Sequence, residues 1–156
     1  MDPNAIIEIF RRNVTNHYFD LTGRVSRQEF WLFVLACFAV AIGVAVVDGI
    51  LRTHLLGPVV GLGLLLPMTG LGARRLQDTG KDGTLVWIWA VPSGVMQLIA
   101  LLMAITGPIG AMGFLYFFFS IGWLINLIAF VAALAMIYFW VQPGAESANQ
   151  YGPAPA

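Results

Sequence analysis

The sequence predicts an all-α membrane protein, with four transmembrane helices in a compact bundle, an amphipathic helix ahead of them and both termini in the cytoplasm. Three observations predict it. First, 59% of the 156 residues are hydrophobic, only 10% are charged and the mean hydropathy is +0.82, whereas a soluble domain is about half apolar and a quarter charged. Second, four apolar runs, 30–51, 55–73, 85–106 and 114–141, reach the roughly 20 residues that a helix needs to cross the hydrocarbon core. They are unbroken, where the strands of a barrel would alternate. Third, Arg11, Arg12, Arg24 and Arg27 precede the first run and Arg74, Arg75 and Lys81 lie between the second and third, against Arg52 alone on the other face. Short loops rich in arginine and lysine stay in the cytoplasm.

Composition also excludes. Eight basic residues balance eight acidic ones, so the basic excess that nucleic-acid binding needs is missing. The single cysteine, Cys37, can form neither an internal disulfide nor a cysteine zinc site.

Residues 1–29 form the cytoplasmic approach to the membrane. Ile6, Ile7, Phe10 and Val14 recur at helical spacing, with Glu8, Arg11, Arg12 and Asn13 assigned to the other side. Such a helix either lies on the inner leaflet or covers the ends of the bundle. Thr22-Gly23 reads as a turn and Ser26-Arg27-Gln28-Glu29 as a capping box that opens the first span. That span is too long for a signal-peptide core and starts too late, so it is expected to be retained as an anchor.

The transmembrane domain covers 30–141. Pro58, Pro67, Gly70 and Gly72 make the second span the most kink-prone. Its helix is expected to run on to about Thr79, because Asp78-Thr79-Gly80 reads as a helix end with glycine in the left-handed position. Gly107–Gly113 is expected to be the loop between spans three and four. Trp31, Trp87, Trp89 and Trp140 are placed in an inner aromatic belt, and Tyr116 with Phe117 to Phe119 in an outer one. Small residues four apart, such as Ala39 with Gly43 and Gly57 with Gly61, mark faces where helices can approach closely. The cytoplasmic tail, 142–156, has too little apolar surface to fold alone; docking on the charged face would order it.

The stretch Tyr18-Phe19-Asp20-Leu21-Thr22-Gly23-Arg24-Val25-Ser26-Arg27-Gln28-Glu29-Phe30-Trp31, together with Arg74-Arg75-Leu76-Gln77-Asp78-Thr79-Gly80 and the ending Pro143-Gly144 with Asn149-Gln150-Tyr151-Gly152-Pro153, resembles the bacterial family of small inner-membrane proteins of unknown function that includes YhaH and YhaI. The resemblance implies a multi-pass protein of the bacterial inner membrane with a shared cytoplasmic motif surface, and it implies no reaction. Two positions depart from the family's habit. Gln77 stands where the family usually has histidine, and Thr84-Leu85 where it tends to have a tryptophan pair.

Three groups of side chains are candidate sites. Arg24, Arg27, Glu29, Arg74, Arg75 and Asp78 all fall at the inner interface. If they converge, carboxylates can pair some of the guanidinium groups, leaving others to bind an anionic lipid headgroup, a phosphate or a partner; alternatively they are topology determinants and structural ion pairs. Gln97 and Asn126 stand at equal depth on neighbouring spans, and are expected to form an interhelical polar pair or the sparse lining of a pathway. Asp48 precedes Arg52 by four residues near the outer interface, the favourable order for an ion pair on a helix.

No catalytic residue, cofactor or metal is expected. His17 and His54 fall on opposite membrane sides, and Gly61-x-Gly63 lies inside a span, without the strand that a phosphate-binding loop requires. The leading expectation is therefore a non-enzymatic accessory or scaffolding protein, binding a membrane partner or its own copies through the Arg-rich face, in contact with phospholipid. The alternatives are a small transporter or channel using the kinked second span with Gln97 and Asn126, and a sensor of anionic lipid. An enzyme acting on lipids would have only Glu29 and Asp78 as acid or base at that face.

Overall fold

The computed structural model describes residues 3–155. Five helices follow in order: α1 (Pro3–Thr15), α2 (Arg27–Leu51), α3 (Leu56–Asp78), α4 (Trp87–Phe117) and α5 (Trp123–Val141), with a single 3-10 turn at Gly83–Val86 and a π-helical turn at Phe118–Gly122. Four stretches are helical, long and apolar enough to cross a membrane, Arg27–Leu51, Leu56–Asp78, Gly83–Gly110 and Trp123–Val141.

The helix ends follow local chemistry. Ser26 caps α2, its hydroxyl accepting from the Glu29 amide at 3.2 Å. The Glu29 carboxylate goes to α1 instead, where it meets Arg12 at 2.6 Å. At the end of α3 the Lys81 amide donates to the Leu76 carbonyl and the Gly80 amide to the Gln77 carbonyl, both at 3.0 Å. These two bonds make a Schellman motif, which requires the left-handed backbone that Gly80 supplies at φ 76°.

The break between spans three and four is narrower than the sequence predicts. In place of a loop over Gly107–Gly113, only Gly107 leaves helical geometry, at φ 60° and ψ −137°. Ile99, Met103 and Thr106 before it share one groove with Gly110, Phe114 and Phe117 after it, so the chain doubles back at this residue. Proline at 108 suits this place, since a first helical turn has no partner for its amide.

α3 is the hub of the bundle and packs against α1, α2, α4 and α5. Burial along it is uneven. Every residue from Thr69 to Asp78 is buried, with Leu71, Ala73 and Leu76 joining a core completed by Val25, Phe30, Phe33, Val86, Met136 and Trp140. At the other end the helices are thinly packed: among the described side chains from Val91 to Val131, only Gly122 is buried. A densely packed half and a thinly packed half therefore share one set of helices.

α1 covers the ends of the bundle, through Ile9, Phe10 and Val14 packed on the core and Phe10 stacked on Phe33 at 5.7 Å. Two assignments on α1 are reversed: Ile7 is 65% exposed and Asn13 is fully buried. Trp140 likewise leaves the expected belt for the core. It is 4% exposed, it packs against Phe30 and Trp89 at 5.0 and 5.7 Å, and its indole N–H donates to the Gly72 carbonyl at 3.1 Å.

The segment joining α1 to α2 does not stay outside the bundle. The Tyr18 hydroxyl donates to the Gly63 carbonyl at 2.7 Å, and the Asp20 backbone presses so closely on Gly70 that a Cβ there would lie 2.8 Å from the Asp20 carbonyl oxygen. Gly70 is eight residues before the end of α3, roughly 12 Å along the axis.

Candidate functional site

The charged residues gather where α3 ends. α3 carries Arg74, Arg75 and Asp78 in its last turns, and the segment before α2 brings Arg24 alongside. Arg24 Nε donates to Asp78 Oδ1 at 2.9 Å, and Arg75 donates to the other oxygen, Oδ2. All three side chains are almost fully buried, at 1%, 0% and 3% exposed. A carboxylate held by two guanidinium groups leaves one positive charge to be balanced, and backbone carbonyls do this. Arg24 donates to the carbonyls of Ser147 at 2.8 Å, of Gly152 at 3.1 Å and of Ala145. Arg75 donates to Trp140 at 3.1 Å and to Gln142, which are carbonyls that the end of α5 leaves without helical partners and where a cation is favoured.

The tail is thereby fastened over the site. The Ala145 amide donates to the Asp78 carbonyl at 2.9 Å, and Asn149 Nδ2 to that of Gln77 at 2.9 Å. Asn149 and Gly152 exchange backbone hydrogen bonds at 3.0 Å, closing a turn in a segment that could not fold alone. Gly144 lies directly against the Asp78 carboxylate.

A second group extends the network toward α1. Arg74 donates to Asn13 Oδ1 at 2.8 Å, and Asn13 Nδ2 donates to Glu29 at 3.3 Å and to the Ile9 carbonyl at 2.9 Å. The Gln77 side-chain amide donates to the Leu21 carbonyl at 2.9 Å, while its side-chain oxygen Oε1 and Arg74 Nε are buried without a protein partner among the described residues. Asp20 accepts from the Thr22 amide and hydroxyl at 3.2 and 3.1 Å and pairs with His17 at 3.1 Å. Partial burial pushes its carboxyl up, but the bonds from Thr22 and His17, with Arg74 nearby, outweigh this and hold it below the ordinary value.

Of the six residues expected at the inner interface, five are bonded into these two networks. Arg27 is exposed and forms no ion pair among the described residues. Asn13, Asp20 and the tail carbonyls were not among the candidates. Asn13 carries a readable signal, since with Ile6, Ile9, Phe10 and Val14 it falls on the apolar stripe of α1, where a lone amide needs a partner. The tail carbonyls carry none, because backbone acceptors are the same in every sequence.

The other two expected pairs do not form. Asp48 makes no ion pair with Arg52 among the described residues. It caps the start of α3 instead, accepting from the Leu56 and Gly57 amides at 3.1 and 2.7 Å and from the Thr53 hydroxyl at 2.6 Å. Arg52 ends α2 in the left-handed region, at φ 53°. The geometry favours this because free amides at a helix start attract a carboxylate more specifically than a flexible exposed guanidinium does. Gln97 and Asn126 do not meet either. Asn126 donates back along its own helix to the Gly122 carbonyl at 2.8 Å, and Gln97 packs on Gly61 of α3.

Residues 18–153 match the family described as Protein of unknown function (DUF805). The chain belongs to this family. As a DUF805 protein it is also similar to the inner membrane protein YhaI of Escherichia coli strain K12, 28% identical over 145 residues that cover 92% of both chains. The YhaI protein of Escherichia coli O157:H7 matches equally, at 28% over the same length. No solved structure matches. The matched region runs from Tyr18, at the depth of Gly63, to Pro153 beside the Asn149 turn, so the DUF805 region takes in the whole Arg24–Asp78–tail network. With four apolar helices and inner-membrane relatives, this DUF805 chain is a multi-pass inner-membrane protein.

Proposed function

We propose that this is a non-enzymatic accessory or scaffolding protein, with both termini and the Arg24–Asp78 network on the cytoplasmic face, where it binds a membrane partner or a second copy of itself. The observation that carries the reading is the saturation of Arg24 and Arg75 by Asp78 and the tail. The guanidinium groups are spent on making a rigid, pre-ordered surface from two chain ends, and a surface ordered beforehand loses little entropy when a partner docks. The arginine and lysine distribution supports the orientation.

Gentle purification from native membranes with mass spectrometry of proteins and lipids tests this reading. A protein companion in fixed ratio, or a dimer of the chain, is the expected outcome, released when the tail beyond Gln142 is removed. Recovery of the chain alone at every detergent strength would overturn it.

One observation favours a second role beside this. Arg27 stands exposed at the head of an apolar groove on α2 formed with Trp31, Leu35 and Phe38, which suits the phosphate and one acyl chain of an anionic lipid. Loss of copurifying anionic lipid in Arg27→Ala, but not in Arg11→Ala, is the expected sign.

A further inference from the structure

The thinly packed half of the molecule holds a largely apolar pocket with a few polar groups in its wall, which the scaffolding role does not use. A cavity of about 410 Å³ opens between α2, α3 and α4, lined by Ala41, Asp48, His54, Gly57, Gly61 and Gln97 among others. Asp48 is 7% exposed. Its carboxylate accepts three hydrogen bonds, from Thr53, Leu56 and Gly57, and no cationic side chain pairs with it among the described residues. Gln97 reaches in from α4, its amide nitrogen 2.5 Å from where a Cβ on Gly61 would stand. No hydrogen bond among the described residues involves that carboxamide.

We propose that this pocket binds a protonated primary amine, with its ammonium group shared between the Asp48 carboxylate and the Gln97 carbonyl oxygen. The proposal is independent of the scaffolding role. A carboxylate offers about four acceptor directions, of which three are taken, so one remains for a single N–H donor. That is too few for calcium or magnesium, which need about six oxygen ligands or several retained waters. An ammonium group instead needs a few separate acceptors and one negative charge, which this pocket supplies in an apolar wall. Quaternary ammonium groups, having no N–H, lack the means to bond either acceptor.

The amine has two sources, a free small amine or the ethanolamine headgroup of a phospholipid. For the second, an apolar cavity of about 500 Å³ adjoins at His54 and runs along Pro58, Met96, Ile99, Met103 and Phe114, a place for an acyl chain.

The test uses the full chain in nanodiscs of phosphatidylglycerol, with thermal unfolding followed as ethanolamine hydrochloride is added, against tetramethylammonium chloride at equal ionic strength. A parallel series replaces part of the lipid by phosphatidylethanolamine. A saturable rise in melting temperature with ethanolamine beyond the tetramethylammonium control is expected if the source is a free amine. A rise with phosphatidylethanolamine alone identifies a headgroup. Asp48→Asn, which removes the charge and keeps an acceptor oxygen for only one of the two α3 amides, should abolish the response. Gln97→Leu, which leaves Asp48 and its three donors untouched, should weaken it roughly tenfold, the loss of one charge-assisted bond. No response to either amine source, or an undiminished response in Gln97→Leu, would overturn the proposal.

Discussion

Arg24 Nε donates to Asp78 Oδ1 at 2.9 Å across 54 residues of sequence, with both side chains almost wholly removed from solvent. This contact, doubled by Arg75 on the other oxygen, joins the approach to the first span, the end of the second and the tail. Breaking one side of a buried pair strands the other, at a cost of about 3–5 kcal/mol. Asp78→Asn should lower the melting temperature in detergent and open the tail to protease beyond Gln142. Unchanged tail protection would mean that the backbone bonds of Ala145 and Asn149 hold it without the carboxylate.

The close passage of Asp20 over Gly70 makes a steric prediction. Gly70→Ala places a methyl group 2.8 Å from backbone oxygen, which cannot swing away as a side chain can. We expect a loss of about 1–3 kcal/mol, as for overpacking elsewhere. Gly43→Ala meets nothing within 4 Å, and should be neutral or slightly stabilising through helix propensity. Equal melting temperatures for the two variants would show that the segment is not seated against α3.

Arg52 separates two accounts of the loop between α2 and α3. As the left-handed end of α2 at φ 53° it carries a backbone cost that glycine would not, about 1 kcal/mol. Arg52→Gly should therefore raise stability slightly. Were Arg52 the ion-pair partner of Asp48, the same change would lower it.

Stability should fall in acid partly through Asp20. Its carboxyl is held below the ordinary value of 3.8 in the folded chain, so the folded state binds fewer protons than the unfolded one. The resulting stability is present above the unfolded value and is lost as pH falls through the folded one. Asp20→Asn should thus be less stable than the parent at neutral pH, with the gap closing below about pH 4. A gap independent of pH would assign the effect to packing instead.

The membrane class and most helix limits were legible because they depend on neighbours in sequence. Apolar length marks the spans, Ser26 and Gly80 mark helix ends by bonds within a few residues, and the charge asymmetry along the chain is a linear property. Part of the site was legible in the same way: the motif pieces around Arg24 and Arg75 were expected to converge, and in the structure both arginines bond to Asp78. Their partners were not, since the Arg24 acceptors at Ser147 and Gly152 are backbone carbonyls more than a hundred residues away.

By itself, then, the sequence determined that this chain crosses a membrane several times and concentrates arginine at one end, because burial in hydrocarbon and local capping act on composition and short spacing. Only the tertiary structure decided which charges satisfy one another. Arg75 turned to the end of α5 and Asp48 to the start of α3, and in both cases the choice rests on distances between separate helices. In a low-dielectric interior a polar group must find a partner wherever packing brings one, and packing is a property of the whole fold.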